Sequence, residues 1–389
     1  MARNRVIYQS DALYISKNIT GSVSGAHVQL DRVQSANYSF TVNRQDINQF
    51  GELARIGYVS LEPPTVNLDF TYYLTDGANE RAMNFHVRNT GVGMQAERTF
   101  LSGHMISDFS GQNFYILTST EGNDVNNTTG DPGVGNYIKN AIGIGNAYIT
   151  NYSLDASVGN LPTVSVSFEA SNMNAVTGIV SSGAGFNGAW SGLQNAAIQP
   201  ESGTALSGTS VVLPTGKTSL GVSGIVALRP GDITLNLSNF DDIGSGTFVK
   251  VGAGIDALHI QSAALAIPLS RTPIQRLGSK FAFARPLDLP ASATLSVSAI
   301  VNEMTAENLA AVIDLTYEKD ITLTINAPGT SNPAVIYTLK KCRIDSESYS
   351  SSIGGNKTVD LVFSTQYSSL NDTTRGVFMS GVSTGTIFS

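Results

Sequence analysis

The feature that most constrains this chain is a pattern it carries twice. Shifted by 227 positions, Gln34-Ser35-Ala36 falls on Gln261-Ser262-Ala263, Arg44 on Arg271, Ile47 on Ile274, Gly51 on Gly278, Pro63 on Pro290 and Leu68 on Leu295, with no gap. Identical letters are sparse, but the hydrophobic phase repeats as well. Ala36, Tyr38, Phe40 and Val42 alternate with polar residues, and Ala263, Leu265, Ile267 and Leu269 keep that phase. Val66, Leu68, Phe70, Tyr72 and Leu74 are answered by Ala293, Leu295, Val297, Ala299 and Val301. A period of two sends one set of side chains to one sheet face, so each segment predicts two half-buried strands. Pro63 and Pro290 fall just ahead of the second strand, where a missing amide costs least.

Between the first pair of strands, residues 43–62 carry charges, two glycines and the apolar Phe50, Leu53, Ile56 and Tyr58. This is too long for a tight hairpin and too apolar for an idle loop, so it is expected to touch something else. After the second strand the period changes. Asp76 is a candidate cap for a short helix running to Phe85, and Thr305 for one over Ala306 to Ile313, with Leu309, Val312 and Ile313 as its stripe. Further on, Ile149, Ser153, Gly159, Val164, Val166 and Phe168 match Ile344, Ser348, Gly354, Val359, Leu361 and Phe363 at a shift of 195. The drop from 227 to 195 leaves 32 extra residues in the first half, between about 89 and 145. Both matched stretches read as strand, turn (Gly159-Asn160 or Gly354-Gly355) and strand. The expected fold is mainly β: two tandem, similar β-barrel or sandwich domains, 1–180 and 222–389, each with one short helix. A Gly/Ser-rich linker, 181–221, pinned by Trp190, is expected between them.

Composition narrows the functional classes. Apolar residues at 41% argue against disorder, and a net charge of −7 argues against a general grip on nucleic acid. The single cysteine, Cys342, excludes an internal disulfide framework and is expected as a buried thiol in a strand. Only Val6-Ile7-Tyr8 follows the basic start, too short for a signal peptide's apolar segment, and no run reaches the length of a membrane span. The expectation is a soluble protein made in a cytoplasm.

The catalytic and ligand motifs fail on context. Gly183-Ala-Gly185-Phe-Asn-Gly188 has the dinucleotide letters but sits in the linker, and Gly252-Ala-Gly254 is followed by a strand pattern rather than a helix. Gly216-Lys217-Thr218 lacks the first glycine of a phosphate loop, because Val211 stands there. Gly381-Val-Ser383-Thr-Gly385 has the letters of a nucleophile elbow, with no helix and no histidine after it. His27, His86, His104 and His259 occur singly. Asp124, Asn126, Asn127 and Asp131 could gather round a calcium ion, but their spacing fits no EF-hand. No catalytic site, cofactor or metal is expected.

The duplicated order of strand, long loop, strand, short helix and hairpin resembles the tail tube proteins of tailed bacteriophages. The resemblance implies a β unit with one helix forming six-fold rings round a lumen, and chains carrying the unit twice forming trimeric, pseudo-hexameric rings. It implies a non-enzymatic virion protein, assembled in the host cytoplasm, that self-associates, meets other tail proteins (sheath, terminator, baseplate) and lets DNA pass without specific binding. By that likeness the loops 43–62 and 270–289 contact an adjacent ring, through Arg44, Phe50, Leu53, Ile56 and Tyr58 in one and Arg271, Ile274, Leu277, Phe281 and Phe283 in the other. A trimeric baseplate hub or tail-tip protein shares the same likeness. A β-sandwich carbohydrate-binding or adhesion module would need an aromatic platform, and a lone tryptophan in the linker gives that reading little support.

Overall fold

The structure, a computed structural model, describes residues 11–16, 27–89, 97–105, 111–119, 125, 139–182, 189–199, 202–206, 210–214, 225, 227–237, 258–301 and 318–382. In chain order the strands are β1 (Asp11–Ser16), β2 (His27–Gln29), β3 (Val33–Thr41), β4 (Gln45–Ile47), β5 (Gly57–Val59), β6 (Thr65–Tyr73), β7 (Val87–Asn89), β8 (Gln112–Thr118), β9 (Lys139–Ser157) and β10 (Thr163–Ala170). They continue as β11 (Asn172–Ser182), β12 (Ala189–Gln194), β13 (Ser210–Pro214), β14 (Ile233–Asn236), β15 (His259–Pro268), β16 (Ser292–Ile300), β17 (Lys319–Asn326), β18 (Pro333–Ser350), β19 (Thr358–Gln366) and β20 (Gly376–Gly381). One short α-helix, α1 (Ala78–Ala82), follows β6, and Asp76 Oδ1 accepts from the amide of Ala78 at its start. The second expected helix, 306–313, lies outside the described residues.

The alternating segments build one antiparallel sheet in the order β3, β6, β10, β9, β15, β16, β19, β18. One row of directly opposed residues crosses all of these strands as Val33, Tyr72, Val164, Leu154, Leu265, Leu295, Phe363 and Ile344. The adjacent row reads Ser35, Thr71, Ser165, Ser153, Ala266, Thr294, Ser364 and Arg343. One face is therefore apolar and the other is hydroxyl-rich, as strict alternation requires.

Two smaller sheets cover the apolar face. The first runs β2, β1, β8, the start of β9, and β11; the second runs β14, β17, the start of β18, β20 and, in parallel, β7. Phe70, Phe114 and Phe168 interlock across the layers, with ring centres 4.6–5.9 Å apart. A single apolar cluster runs through both halves, so the chain is a layered β-structure. Of the two forms expected, the described strands give stacked open sheets and no closed barrel.

The pairing of one half recurs in the other at the two shifts read from the sequence. Ala36 opposes Phe70 as Ala263 opposes Val297, and Val166 opposes Phe70 as Leu361 opposes Val297. Irregularities recur as well: between Val33 and Ser35, and between Ile260 and Ser262. Thr150 is the residue skipped where β9 meets β10, and Asp345 where β18 meets β19. Asn146 and Lys341 both take positive φ, 55° and 53°, where each long strand leaves a covering sheet and joins the main one. Phe114 opposes Ile144 as Ile321 opposes Leu339, a shift of 207. The surplus in the first half therefore divides, the shift falling from 227 to 207 ahead of β8 and from 207 to 195 between β8 and β9.

Within the stretch expected as a linker, β12 and β13 pair and extend the first covering sheet from β11. Leu193, Val211 and Leu213 join Tyr14, Tyr115 and Leu117 in a second apolar cluster. Asparagines hold the next residues: Asn146 and Ile198 exchange two hydrogen bonds (3.2 and 2.8 Å), and Asn172 Nδ2 donates to the Ala196 carbonyl at 2.7 Å. Gly145 makes this approach possible, because the Ala196 carbonyl lies where a side chain would stand.

Candidate functional site

Three features are candidates: the two long hairpins, the margins of the main sheet, and a buried carboxyl between the halves. Residues 43–62 form the β4–β5 hairpin and 270–289 a looser one, bridged at Arg271–Leu287 and Ile274–Ala284. Equivalent amides bond, Ile56 to the Ile47 carbonyl (2.9 Å) and Phe283 to that of Ile274 (3.0 Å). Gly51 and Gly278 take positive φ at equivalent turns, which glycine tolerates without strain. Phe50, Leu53 and Leu277 stand fully in solvent, and Ile56, Tyr58, Ile274 and Phe283 are exposed at their flanks.

The hairpins differ in what holds their bases. The second is clasped by the first half of the chain. Arg285 Nη1 meets Glu169 Oε1 at 2.8 Å, and Arg271 Nη2 donates to the His104 carbonyl at 3.1 Å. Both guanidiniums lie over the Tyr148 ring, 5.4 and 5.6 Å from its centre. Burial lowers the Arg271 pKa to about 10, with Tyr148 and Asp288 opposing the drop. The Phe281 ring packs where a side chain on Gly203 would be. The first hairpin closes on itself: Arg55 pairs with Asp46 at 2.8 Å, and Arg44 and Arg55 lie over Tyr58 at 5.1 and 5.5 Å. The ten residues expected at ring contacts thus sit in two matched hairpins, with Arg271 and Phe281 turned inward to the clasp and the apolar tips turned out.

The main sheet has two margins whose equivalents are joined in its middle. There β15 pairs with the end of β9, Leu265 opposite Leu154 and Ala263 opposite Ala156, all buried. The strand equivalent to β15 is β3, and the segment equivalent to the end of β9 is the end of β18. Among the described residues β3 pairs only with β6, and 343–350 only with β19. Tyr38 opposes the buried Leu68, and Tyr349 the buried Val359, so both project from the apolar face; yet they are 43% and 44% exposed, and Phe40 60%. Exposed strand edges of this kind template further pairing.

The opposite face of the sheet is polar from margin to margin. Its charged residues include Asp69, Asp155, Glu169 and Asp360, against Arg343 at one edge. The rest are mostly serines, threonines and asparagines.

Under the sheet, Glu80 of α1 is wholly buried. Its Oε1 accepts from Tyr72 (2.6 Å) and Tyr152 (3.3 Å), and Tyr152 shares a 2.8 Å hydrogen bond with Tyr337 of the second half. Burial pushes the Glu80 carboxyl up to about 7; the Tyr72 hydrogen bond pulls it back and Asp76 raises it further. His27 packs edge-on to Tyr115, and burial lowers its pKa to about 4. Cys342 is buried in β18, its thiol pushed up to about 12 by burial.

Among the described residues no three His, Cys, Asp or Glu side chains gather as metal ligands, and no helix is long and apolar enough to cross a membrane. The candidate calcium residues Asp124, Asn126, Asn127 and Asp131 lie outside the described residues, as do Gly183–Gly188, Gly216–Thr218 and Gly252–Gly254. Sequence reasoning found the hairpins but missed the margins and the clasp. A signal for the clasp was present, in the arginines and tyrosines that change places at positions 58 and 285, and at 148 and 343. Compared with known proteins, no family model and no curated protein matches this chain.

Proposed function

We propose that this chain is a structural protein of a tailed-phage virion that polymerises into the tail tube. Three chains close a pseudo-hexameric ring, and stacked rings form the channel through which the genome leaves. The observation that carries the reading is the unequal fate of equivalent strands, β15 joined to β9 within the chain while β3 and the end of β18 stay open. An interface between two different patches propagates head to tail and closes when its rotation allows, which hides both margins of the main sheet. With two equivalent units per chain, three chains supply the six places of the ring.

The polar face fits the lumen of such a ring. Arg285 and Arg271 gather at its Glu169 end, while Asp69, Asp155 and Asp360 line the rest of it, so a phosphate backbone would meet few cations and pass without the counterion release that drives adhesion. The hairpins extend from the sheet with bare apolar tips, suited to reaching an adjacent ring and, at the ends of the tube, terminator or baseplate proteins. No chemistry is assigned to the chain. Negative-stain microscopy of the purified protein at high concentration tests this. Hollow, regularly striated tubes are expected, trimeric rings that never stack would move the chain to a baseplate hub, and dispersed monomers would contradict both.

A further inference from the structure

From the clasp inside the chain we infer how neighbouring chains grip one another: Tyr58 of one chain packs against Arg343 of the next, as β3 pairs with the end of the neighbour's β18. The inference rests on the ring reading above and adds its register and its contact residues.

The internal junction is the template. Its pairs are Ser262 with Ser157, Leu265 with Leu154 and Ala266 with Ser153. Moved back by 227 on β15 and forward by 195 on β9, they become Ser35 with Ser352, Tyr38 with Tyr349 and Ser39 with Ser348. This register sets the two exposed tyrosines of the open margins directly opposite each other, on the apolar face.

The clasp moves with the strands. At the internal junction two guanidiniums, Arg271 and Arg285, share the Tyr148 ring, and Glu169 balances Arg285. The equivalent positions hold Arg44, Tyr58 and Arg343. Two arginines and one tyrosine are kept, but the tyrosine has moved from the strand to the hairpin and an arginine from the hairpin to the strand. Arg44 already lies over the Tyr58 ring, and the Arg343 side chain is 66% exposed beside Asp345, which pairs with it at 3.1 Å. The carboxylate has also changed place, Ser364 standing where Glu169 would be. An exchange that keeps the cation, ring and anion set fits one geometry met by two sequences. A cation over an aromatic face is favourable whichever strand carries which partner.

Paired cysteines test the register, since opposed Cα atoms of antiparallel strands lie about 4.5–5.5 Å apart, within disulfide range. The full chain carrying Tyr38→Cys and Tyr349→Cys, oxidised with diamide, should form chain-to-chain disulfides in a ladder ending at a closed trimer; each single variant and the wild type, whose Cys342 is buried, should not. Arg343→Glu should lower assembly at least tenfold in concentration while its melting matches wild type. Tyr58→Arg with Arg343→Tyr, which puts the arginine and the tyrosine where the internal junction has them, should assemble at the wild-type concentration. Rings that form without the disulfide, or that tolerate Arg343→Glu, would overturn the register or the contact while leaving the ring intact. Chains that form no ring at all would overturn both.

Discussion

At the scale of single residues, the buried groups make the fold sensitive to pH in opposing ways. Glu80 holds its proton more tightly folded, at about 7, than at its ordinary 4.5. Its contribution to stability is therefore full below about pH 4.5 and lost as pH rises through about 7, roughly 3 kcal/mol in all. His27, lowered to about 4, contributes above its ordinary 6.5 and loses that as pH falls through about 4. Glu80→Gln keeps an acceptor for Tyr72 and removes the charge. Urea midpoints for this variant should rise above wild type at about pH 8 and converge with it at about pH 5; parallel curves at both pH values would contradict the assignment. Gly145→Ala places a methyl against the Ala196 carbonyl and should cost about 1–3 kcal/mol by the same measurement.

At the scale of elements, the same strand position should behave differently in the two halves. Leu265→Ala, in the middle of the sheet, should cost about 2–5 kcal/mol. Its equivalent Tyr38→Ala, at the margin, should change the stability of the isolated chain by no more than about 0.5 kcal/mol and weaken assembly instead. Phe50→Ser with Leu53→Ser, at a hairpin tip, should leave melting unchanged and give rings that do not stack under the microscope. Much of this layer was legible beforehand. Period-two alternation marked β3, β6, β15 and β16, and the paired glycines marked the turns after β9 and β18. Strands β12 and β13 were not, because a Gly/Ser-rich stretch carries little period, and the close approach of Gly145 to Ala196 just after β12 is a tertiary contact with no local signal. Nor was β7 beside β20, a contact across the halves that no local pattern encodes. The margins escaped notice because Tyr38 alternates as faithfully as Leu265; only the tertiary arrangement decides which of the two is covered.

At the scale of the molecule, one sheet spans both halves and ends in two edges, β3 and the end of β18, whose equivalents pair in its middle. The repeat in the sequence predicted like strands in each half. The structure adds that their pairing and registers recur, and that one half's edge fits the other's. If the proposed ring forms, the junction of β9 with β15 is a sample of the contact between chains. Whether another chain completes the sheet is read from the mass of the purified protein in solution as concentration rises. A mass that climbs from 41.0 kDa to three chains and then in multiples of three, as rings close and stack, is the predicted result; a 41.0 kDa monomer that persists at every concentration would contradict it.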